Sequence, residues 1–352
     1  MKTIRVRASR EYEIRIENGV LKDAGAQIKE VCAPCTAVIV SDDTVYPLYG
    51  EVLKNSLEAE GFCVLSFVFP HGERSKNLKT YGELLEFLCE NRVTRKDLIA
   101  ALGGGVTGDL AGFAAATYQR GIPYVQIPTT LLACVDSSVG GKTAVDLSAG
   151  KNQAGCFYQP SLVLIDPETL GTLPEEEYRC GCAEVIKYAV IGSEGFFEEL
   201  DEKEIKEMYE HVISVCVSMK RDVVEKDEFD TGDRMLLNFG HTFGHAAEAC
   251  SGYSILHGQA VAMGMAAMAK SACAYGICEE AAAERIVRLI REYGLPVQTP
   301  YSADEMMEAA LSDKKMAGKN IRIVIPEKIG ACRIETIPAG ELIERMKAGG
   351  IE

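Results

Sequence analysis

Three histidines lie close together in and just after the stretch NFGHTFGHAAE, in a chain that has only five histidines. Residues four apart share one face of a helix, so His241 and His245 could both bind one metal ion. His257, which follows the turn SGYS, could fold back to the same place, and the helical segment CAEVIKYAV offers Glu184 and Lys187. Three nitrogen or oxygen ligands with an open position are typical of a catalytic divalent metal site and favour zinc. Spacing alone leaves open whether His245 or His257 joins His241 and the glutamate.

A second candidate site is LIAALGGGVTGDLAGF, where an apolar run leads into Gly103, Gly105 and Gly108 and then into a helical pattern. GxGxxG between a strand and a helix is typical of dinucleotide binding, because glycine lets a diphosphate approach backbone N–H groups at a helix N-terminus. The acidic residue expected about twenty positions later to hold a ribose is absent, since the next strand-like run ends in Thr129 and Thr130. If a dinucleotide binds here, either its ribose is held from elsewhere or the dinucleotide lies in an unusual pose. The alternative is a tight turn that only packs a helix on a strand.

Basic and polar side chains form a third group, in segments that otherwise carry little charge. The stretch SSVGGKTAVDLSAGKNQAG is rich in glycine and serine and suits the binding of a phosphate or carboxylate. Each such residue alone could be a solvated surface charge, but their positions beside the other two motifs favour a role in a site. The candidates are Lys142, Lys151, Asn152, Arg120, Lys187, Lys220 and Arg234.

The hydrophobic pattern predicts the elements that must position these residues. In the first half, strand-like runs such as TAVIVSD, CVLSFVF and LVLID alternate with helical patterns, which indicates a mostly parallel sheet flanked by helices. From about residue 175 to 293 the pattern is nearly all helical, and the strand-like runs IRIVIP and ACRIETI follow. We predict an α/β, Rossmann-like N-terminal domain (residues 1–168) that binds NAD and a mostly α-helical C-terminal domain (169–352) that binds metal and substrate.

Size and composition limit the possible classes of protein. At 352 residues the chain exceeds what one core normally fills. The net charge of −15 opposes an extended nucleic-acid surface. The longest apolar run, Ala260–Ala269, is too short to span a bilayer, and the N-terminus alternates like a strand pair without the apolar core of a signal peptide. We therefore expect a cytoplasmic protein without a membrane or nucleic-acid partner.

Thirteen cysteines in such a chain indicate reduced thiols rather than a disulfide framework. The motif CAPC, with Cys32 and Cys35, could bind a metal or undergo redox cycling. Zinc would need a second such pair, which the sequence lacks, and CGC at Cys180–Cys182 is spaced too tightly. We therefore expect Cys32 and Cys35 to be small buried thiols near a turn.

Taken together, several stretches closely resemble the 3-dehydroquinate synthase family of sugar-phosphate cyclases. The resemblance extends in order from about residue 41 to 330 and includes HGERSK and DKK. It implies a homodimeric lyase of the shikimate pathway, which leads to chorismate and the aromatic amino acids, with NAD and zinc or cobalt as cofactors. The reaction would convert 3-deoxy-D-arabino-heptulosonate 7-phosphate into 3-dehydroquinate and phosphate, through transient oxidation at C5, phosphate elimination, re-reduction and aldol closure. The stretches are GGGVTGDLAGFAAATYQRG, IPTTLLACVDSSVGGKTAVD, GKNQAGCFYQP, GCAEVIKYAVI, LLNFGHTFGHAAE and LHGQAVAMGM.

The resemblance also assigns residues. The metal ligands of the family match Glu184, His241 and His257, which leaves His245 beside the substrate. Asp42, at the end of an earlier strand, would supply the acid for the ribose. The residues that match the NAD site are Asp42, His71, Gly72, Glu73, Arg74, Ser75, Lys76, Gly104, Gly105, Val106, Thr107, Gly108, Asp109, Thr129, Thr130, Lys142, Lys151, Thr169, Leu170, Gly171 and Thr172. Those that match the substrate-binding and catalytic residues are Arg120, Asp136, Lys142, Asn152, Lys187, Lys220, Arg234, Asn238 and His245, with Lys314 or Lys315 nearby.

The sequence departs from the family pattern at two cofactor-edge positions, where Thr44 replaces a frequent Asn and Thr169 replaces a Phe-like residue. Three other functions stay open. A sister sugar-phosphate cyclase acting on a close amino analogue would share fold and cofactors. A metal-dependent polyol dehydrogenase would release NADH, although the phosphate-binding lysines disfavour it. A non-catalytic nucleotide or metal sensor would bind NAD without consuming a sugar phosphate.

Overall fold

The computed structural model describes residues 1–312 and 319–352, and Lys314 and Lys315 lie outside these ranges. The chain divides into two units, Met1–Pro174 with Glu210–Phe229, and Glu175–Tyr209 with Asp230–Glu352. This division differs from the single boundary after residue 168, because 210–229 returns to the first unit. Polar contacts hold that segment there: the backbone N–H groups of Arg7 and Ser9 donate to the carboxylates of Glu225 and Glu228 (2.8 and 2.7 Å).

The first unit is built on a seven-stranded sheet with the strand order β1-β2-β9-β6-β5-β3-β4. All neighbouring pairs are parallel except β1 and β2, which form the N-terminal antiparallel pair that the alternating pattern predicts. Strands β7 and β8 form a separate antiparallel hairpin. The strands are β1 (Lys2–Arg7), β2 (Glu11–Ile16), β3 (Thr36–Asp42), β4 (Cys63–Phe69), β5 (Leu98–Gly103), β6 (Tyr124–Pro128), β7 (Lys142–Leu147), β8 (Gly150–Phe157) and β9 (Leu162–Ile165).

Hydrophobic cores cover both faces of this sheet. Successive residues of one strand, such as Ile39 and Val40 of β3, belong to opposite cores because successive strand side chains point to opposite faces. Helices α1 (Ala24–Lys29) and α2 (Glu51–Ala59) pack on one face, and α3 (Leu78–Glu90) and α4 (Gly105–Thr117) on the other. Helix α3 begins at Leu78, because the Asn77 side chain accepts from the backbone N–H groups of Lys79 and Thr80.

The second unit is mostly helical, and the α/β plus helical fold class is confirmed. Its late strand-like runs form an antiparallel pair, β10 (Asn320–Lys328) and β11 (Ala331–Pro338). No helix of the described residues is long and apolar enough to cross a membrane. The helices of the second unit are α5 (Glu175–Gly192), α6 (Glu194–Glu202), α8 (His241–Cys250), α9 (His257–Ala274), α10 (Glu280–Glu292), α11 (Ala303–Ser312) and α12 (Leu342–Ala348). Helix α7 (Tyr209–Lys226) lies in the segment that returns to the first unit.

Candidate active site

Two histidines and a glutamate converge in the second unit. Glu184 is buried in the middle of α5, whereas His241 and His257 are the first residues of α8 and α9. Glu184 Oε1 lies 3.7 Å from His241 Nε2 and 3.6 Å from His257 Nε2, and one donor atom from each residue lies within 4.8 Å of the others. Neither α8 nor α9 carries an acidic residue in its first turn.

This cluster fits a divalent metal ion by its donor chemistry and spacing. Zinc binds imidazole nitrogen and carboxylate oxygen at about 2.0–2.2 Å, so ligand atoms separated by 3.6–3.7 Å can share one ion. The other ring nitrogens are oriented as well: Nδ1 of His241 lies 3.1 Å from the Phe239 carbonyl oxygen. Nδ1 of His257 lies 3.4 Å from Glu248 Oε2. Such outer contacts hold the rings so that Nε2 faces the ligand position.

Small residues bring the two helices that carry these histidines into backbone contact. Gly240, before α8, has a left-handed backbone (φ +79°), which favours glycine. A methyl group on Gly264 of α9 would overlap the carbonyl oxygen of Gly240, and one on Gly244 would lie 2.9 Å from the carbonyl oxygen of Ala260. The glycines therefore set the close approach of α8 and α9, and with it the distance between the two imidazoles.

The surroundings shift the pKa values of the two imidazoles in opposite directions. Burial and the positive charge of Lys187 lower the pKa of His241 to about 3, so this ring is neutral at pH 7, the form that binds a metal. Burial also opposes protonation of His257, but hydrogen bonds to Glu184 and Glu248 outweigh it and raise its pKa to about 10. Two carboxylates thus favour a positive charge around His257, which a bound cation would supply in place of a proton.

The sequence interpretation missed Glu248. It is 3% exposed, and together with His245 and His257 it forms a second group whose ligand atoms lie within 4.8 Å of one another. The sequence did contain a signal for Glu248. It follows His241 by seven residues and His245 by three, so all three residues share a helix face.

We expect Glu248→Gln to weaken zinc binding by about 10–100-fold, the usual effect of losing an outer carboxylate behind a metal-ligating histidine. Chelator competition would give the dissociation constant. Glu284→Gln, the same change at an exposed position of α10, should leave it unchanged. Equal zinc affinity in the Glu248 variant and the native protein would show that the carboxylate does not position His257.

The other predicted site residues of the second unit occupy neighbouring elements. Lys187 is 1% exposed and pairs with the Glu184 carboxylate one turn earlier on α5. Arg234 (2% exposed) is the second residue of a short helical turn, Asp233–Asn238, and Asn238 is its last. The His245 ring lies beside that of His241, with 5.3 Å between the ring centroids.

The glycine-rich turn of the first unit ends β5 and starts α4. Gly104 precedes the helix without a side-chain cap, and the first turn has no acidic residue, so the N–H groups of this turn can donate hydrogen bonds to an anion. A methyl group on Gly104 would lie 2.9 Å from the Thr130 side chain. The buried hydroxyl groups of Thr107 and Thr129 have no hydrogen-bond partner within residues 1–312 and 319–352. Unsatisfied buried hydroxyls are uncommon, and these two are available to donate to a ligand. These features fit a dinucleotide.

Lys76 links the HGERSK segment to two other predicted site segments. Its ammonium group lies 2.6 Å from Asp109 Oδ2 on α4 and donates to Asn152 Oδ1 on β8 (2.6 Å). Burial alone would lower the pKa of Lys76, but the carboxylates of Asp109 and Glu73 outweigh it and raise the pKa. The backbone N–H of Asn152 donates to Asp146 Oδ1 (2.7 Å). Asp146 is a second residue that the sequence interpretation missed. A charged Lys76 therefore connects the predicted cofactor and substrate segments of this unit.

The ends of β3 and β4 carry other residues of the predicted NAD set. Asp42, at the end of β3, accepts hydrogen bonds from the backbone N–H groups of Thr44 and Val45 (both 2.9 Å). The backbone N–H of His71 donates to Asp43 Oδ1 (2.9 Å), and both side chains are exposed. The predicted segment Thr169–Thr172 lies in a helical turn, and Tyr49 donates to the Thr169 carbonyl oxygen (2.9 Å).

Two predicted substrate residues have an unusual backbone. Arg120 (φ +65°) and Asn152 (φ +55°) are in the left-handed region, which costs free energy for residues other than glycine and is common at functional sites. Lys220 Nζ lies 3.1 Å from Asp136 Oδ1, so these two predicted residues form an ion pair within the first unit. Lys142 begins β7 and is exposed, and Lys151 is partly exposed on β8.

Comparisons with known proteins identify the class. The fold matches 2-epi-5-epi-valiolone synthase from Streptomyces hygroscopicus subsp. jinggangensis 5008, solved with NAD+ and Zn2+ bound, with a TM-score of 0.88, 29% identity and 99% of each chain covered. It also matches 2-deoxy-scyllo-inosose synthase in complex with carbaglucose-6-phosphate, NAD+ and Co2+ (TM-score 0.87, 25% identity, 98% of this chain and 99% of that chain). A parallel-sheet unit with a glycine-rich turn and a helical unit with a Glu–His–His cluster therefore define a protein similar to sugar-phosphate cyclases.

Sequence comparisons narrow this class to one family. Residues 66–180 match the family model "3-dehydroquinate synthase N-terminal", and residues 181–316 match "3-dehydroquinate synthase C-terminal". The chain is 45% identical over 340 residues to the 3-dehydroquinate synthase of Streptococcus suis (strain 05ZYH33), covering 95% of this chain and 96% of that protein. The chain belongs to the 3-dehydroquinate synthase family.

Proposed function

We propose that this chain is a 3-dehydroquinate synthase, a phosphate-eliminating lyase that uses NAD and zinc or cobalt. It converts 3-deoxy-D-arabino-heptulosonate 7-phosphate into 3-dehydroquinate and phosphate for the shikimate pathway. The observation that carries the proposal is the Glu184–His241–His257 cluster in a chain of this family. We further propose a homodimer in the cytoplasm.

The proposed metal ligands are Glu184, His241 and His257, and the NAD site is the residue set named from the sequence. When bound, NAD accepts and returns a hydride at one carbon while the cation polarises a hydroxyl group of the substrate. The protein residues contribute position and charge. His245, beside His241 on the same helix face, is the proposed carrier of the hydroxyl proton.

Each unit supplies groups suited to an anionic sugar. In the first unit, Lys142, Asn152 and Arg120 offer cationic and amide donors for phosphate and hydroxyl oxygens. The Lys76 hydrogen bond holds the Asn152 side chain in one orientation, and Asp136 fixes the Lys220 ammonium. In the second unit, Arg234, Asn238 and Lys187 offer the same kinds of donor. Groups held before substrate binds lose less freedom on binding, so we assign them to orienting the substrate.

The test supplies the heptulosonate phosphate, NAD and zinc to the purified full chain. We expect one phosphate released per 3-dehydroquinate formed, without growth of NADH absorbance, because the hydride returns in each turnover. A chelator should stop the reaction and added zinc should restore it. Absence of phosphate release from this substrate would contradict the proposal.

The same assay separates the alternatives. Turnover of an amino analogue in place of the heptulosonate phosphate would identify a sister cyclase. Accumulation of NADH with an unphosphorylated polyol would identify a dehydrogenase. Binding of NAD without turnover of any of these substrates would identify a sensor. The chain is 45% identical over 340 residues to a 3-dehydroquinate synthase, against 25–29% to the two other cyclases. This difference favours the 3-dehydroquinate synthase reaction over the alternatives.

A further inference from the structure

The CAPC motif lies in the loop that connects α1 to β3. Cys32 Sγ and Cys35 Sγ are 3.8 Å apart, and both side chains are partly exposed. The expectation that these thiols are buried is therefore wrong, because the loop follows the end of α1 at the surface, where Ala33 and Pro34 are exposed.

Backbone hydrogen bonds fix both ends of this loop. The N–H of Cys32 donates to the Ile28 carbonyl oxygen (2.9 Å), and the N–H of Cys63 on β4 donates to the Cys35 carbonyl oxygen (3.0 Å). A disulfide bond is about 2.0 Å long, so the sulfur atoms must approach by about 1.8 Å (3.8 Å minus 2.0 Å). Rotation of the two cysteine side chains can supply this movement while the loop backbone stays in place.

The two thiols differ in acidity. The hydrogen bond from Cys35 lowers the pKa of Cys32 to about 7, although burial opposes this shift. The same hydrogen bond raises the pKa of Cys35. A pair with one acidic thiol and one adjacent thiol has the arrangement that thiol–disulfide exchange needs, an attacking group and a resolving group.

A metal site is the alternative use of this pair. Within the described ranges, groups of three potential ligands occur around the histidines of the second unit, and none includes Cys32 or Cys35. The geometry at CAPC therefore favours redox chemistry over metal binding.

We propose that Cys32 and Cys35 form a dithiol site that exchanges with small disulfides and closes reversibly to an intramolecular disulfide. The Cys32 thiolate attacks one sulfur of a small disulfide RSSR, and one RS⁻ leaves. Cys35 then loses its proton and attacks the Cys32 sulfur, which releases the second RS⁻. Both cysteines are oxidised, RSSR is reduced to two thiols, and the two cysteine protons pass to the RS⁻ groups.

The location of the pair separates this site from the proposed catalytic function. Cys35 precedes the N-terminal end of β3, whereas Asp42 of the predicted NAD site is at its C-terminal end. Closure of the disulfide should therefore leave the turnover of 3-deoxy-D-arabino-heptulosonate 7-phosphate unchanged, and the site can be tested whether or not that reaction is the correct one.

The experiment exposes the full chain to glutathione disulfide at pH 7, quenches with acid, alkylates the remaining thiols and measures peptide masses. We expect a Cys32–Cys35 disulfide to form at least about tenfold faster than adducts at Cys63 or Cys89, the exposed cysteines that serve as internal controls. Cys35→Ser should stop at a glutathione adduct on Cys32, and Cys32→Ser should remove the fast reaction. Equal rates at Cys32 and the two controls, or pairing of Cys32 with another cysteine, would overturn the proposal.

Discussion

Replacement of His241 by alanine should abolish zinc binding and turnover together. His241 Nε2 is one of three donor atoms that converge on one point, and its neighbours Glu184 and His257 cannot complete a site with two ligands. Loss of the ion removes several kcal/mol of transition-state stabilisation, which corresponds to a rate loss of about a thousandfold or more. The measurements are zinc content per chain and release of phosphate from the heptulosonate phosphate.

His211→Ala is the matched control, because His211 is an exposed histidine on α7. It should retain both zinc and activity. Circular dichroism of both variants would show that the helices are intact. Full zinc content with full activity in the His241 variant would refute the assignment of His241 as a ligand, whereas full zinc content without activity would move its role from metal binding to the chemistry itself.

Replacement of Gly264 by alanine should destabilise the second unit by about 3 kcal/mol or more, since overpacking a tight contact typically costs 1–3 kcal/mol and backbone atoms yield little. The added methyl group would overlap the Gly240 carbonyl oxygen and force α8 away from α9. Because those helices carry His241 and His257, zinc affinity should fall with stability. Denaturant unfolding and chelator competition measure the two effects.

Gly195→Ala provides the matched control in the same unit. Gly195 lies on α6 with no atom within 4 Å of the position where a methyl group would stand. Alanine is favoured over glycine in a helix by roughly 0.5–1 kcal/mol, so this variant should be slightly more stable with unchanged zinc affinity. If Gly264→Ala were as stable as Gly195→Ala, the close packing of α8 on α9 would not limit stability.

Much of the fold could be predicted from periodicity. The strand runs and the change to a helical pattern are local properties of the sequence, and they appear as the parallel sheet and the helical unit. The return of 210–229 to the first unit could not be predicted, because it depends on long-range polar contacts such as Lys220 with Asp136.

Residue types identified the histidine cluster, but geometry was needed to pair its members. On α8, His241 and His245 share a face, as the spacing predicts, and their ring centroids are 5.3 Å apart. The centroid of His257 is also 5.3 Å from that of His241. Which histidine joins Glu184 depends on where α9 begins and how closely it packs on α8. That packing rests on glycines whose role a helical pattern does not reveal, and the assignment of ligands stays a prediction.

Helices α8 and α9 begin at two neighbouring histidines, and this arrangement has an electrostatic consequence. The N-terminus of an α-helix acts as roughly half a positive elementary charge, and α8 and α9 both begin at a histidine of the cluster without an acid in the first turn. An alkoxide that forms near these two helix starts would be stabilised by the partial positive charges of both N-termini. Because peptide dipoles create this field, substitution of a single side chain cannot remove it, and variants that lack His245 should still favour ionisation of a hydroxyl group at this point.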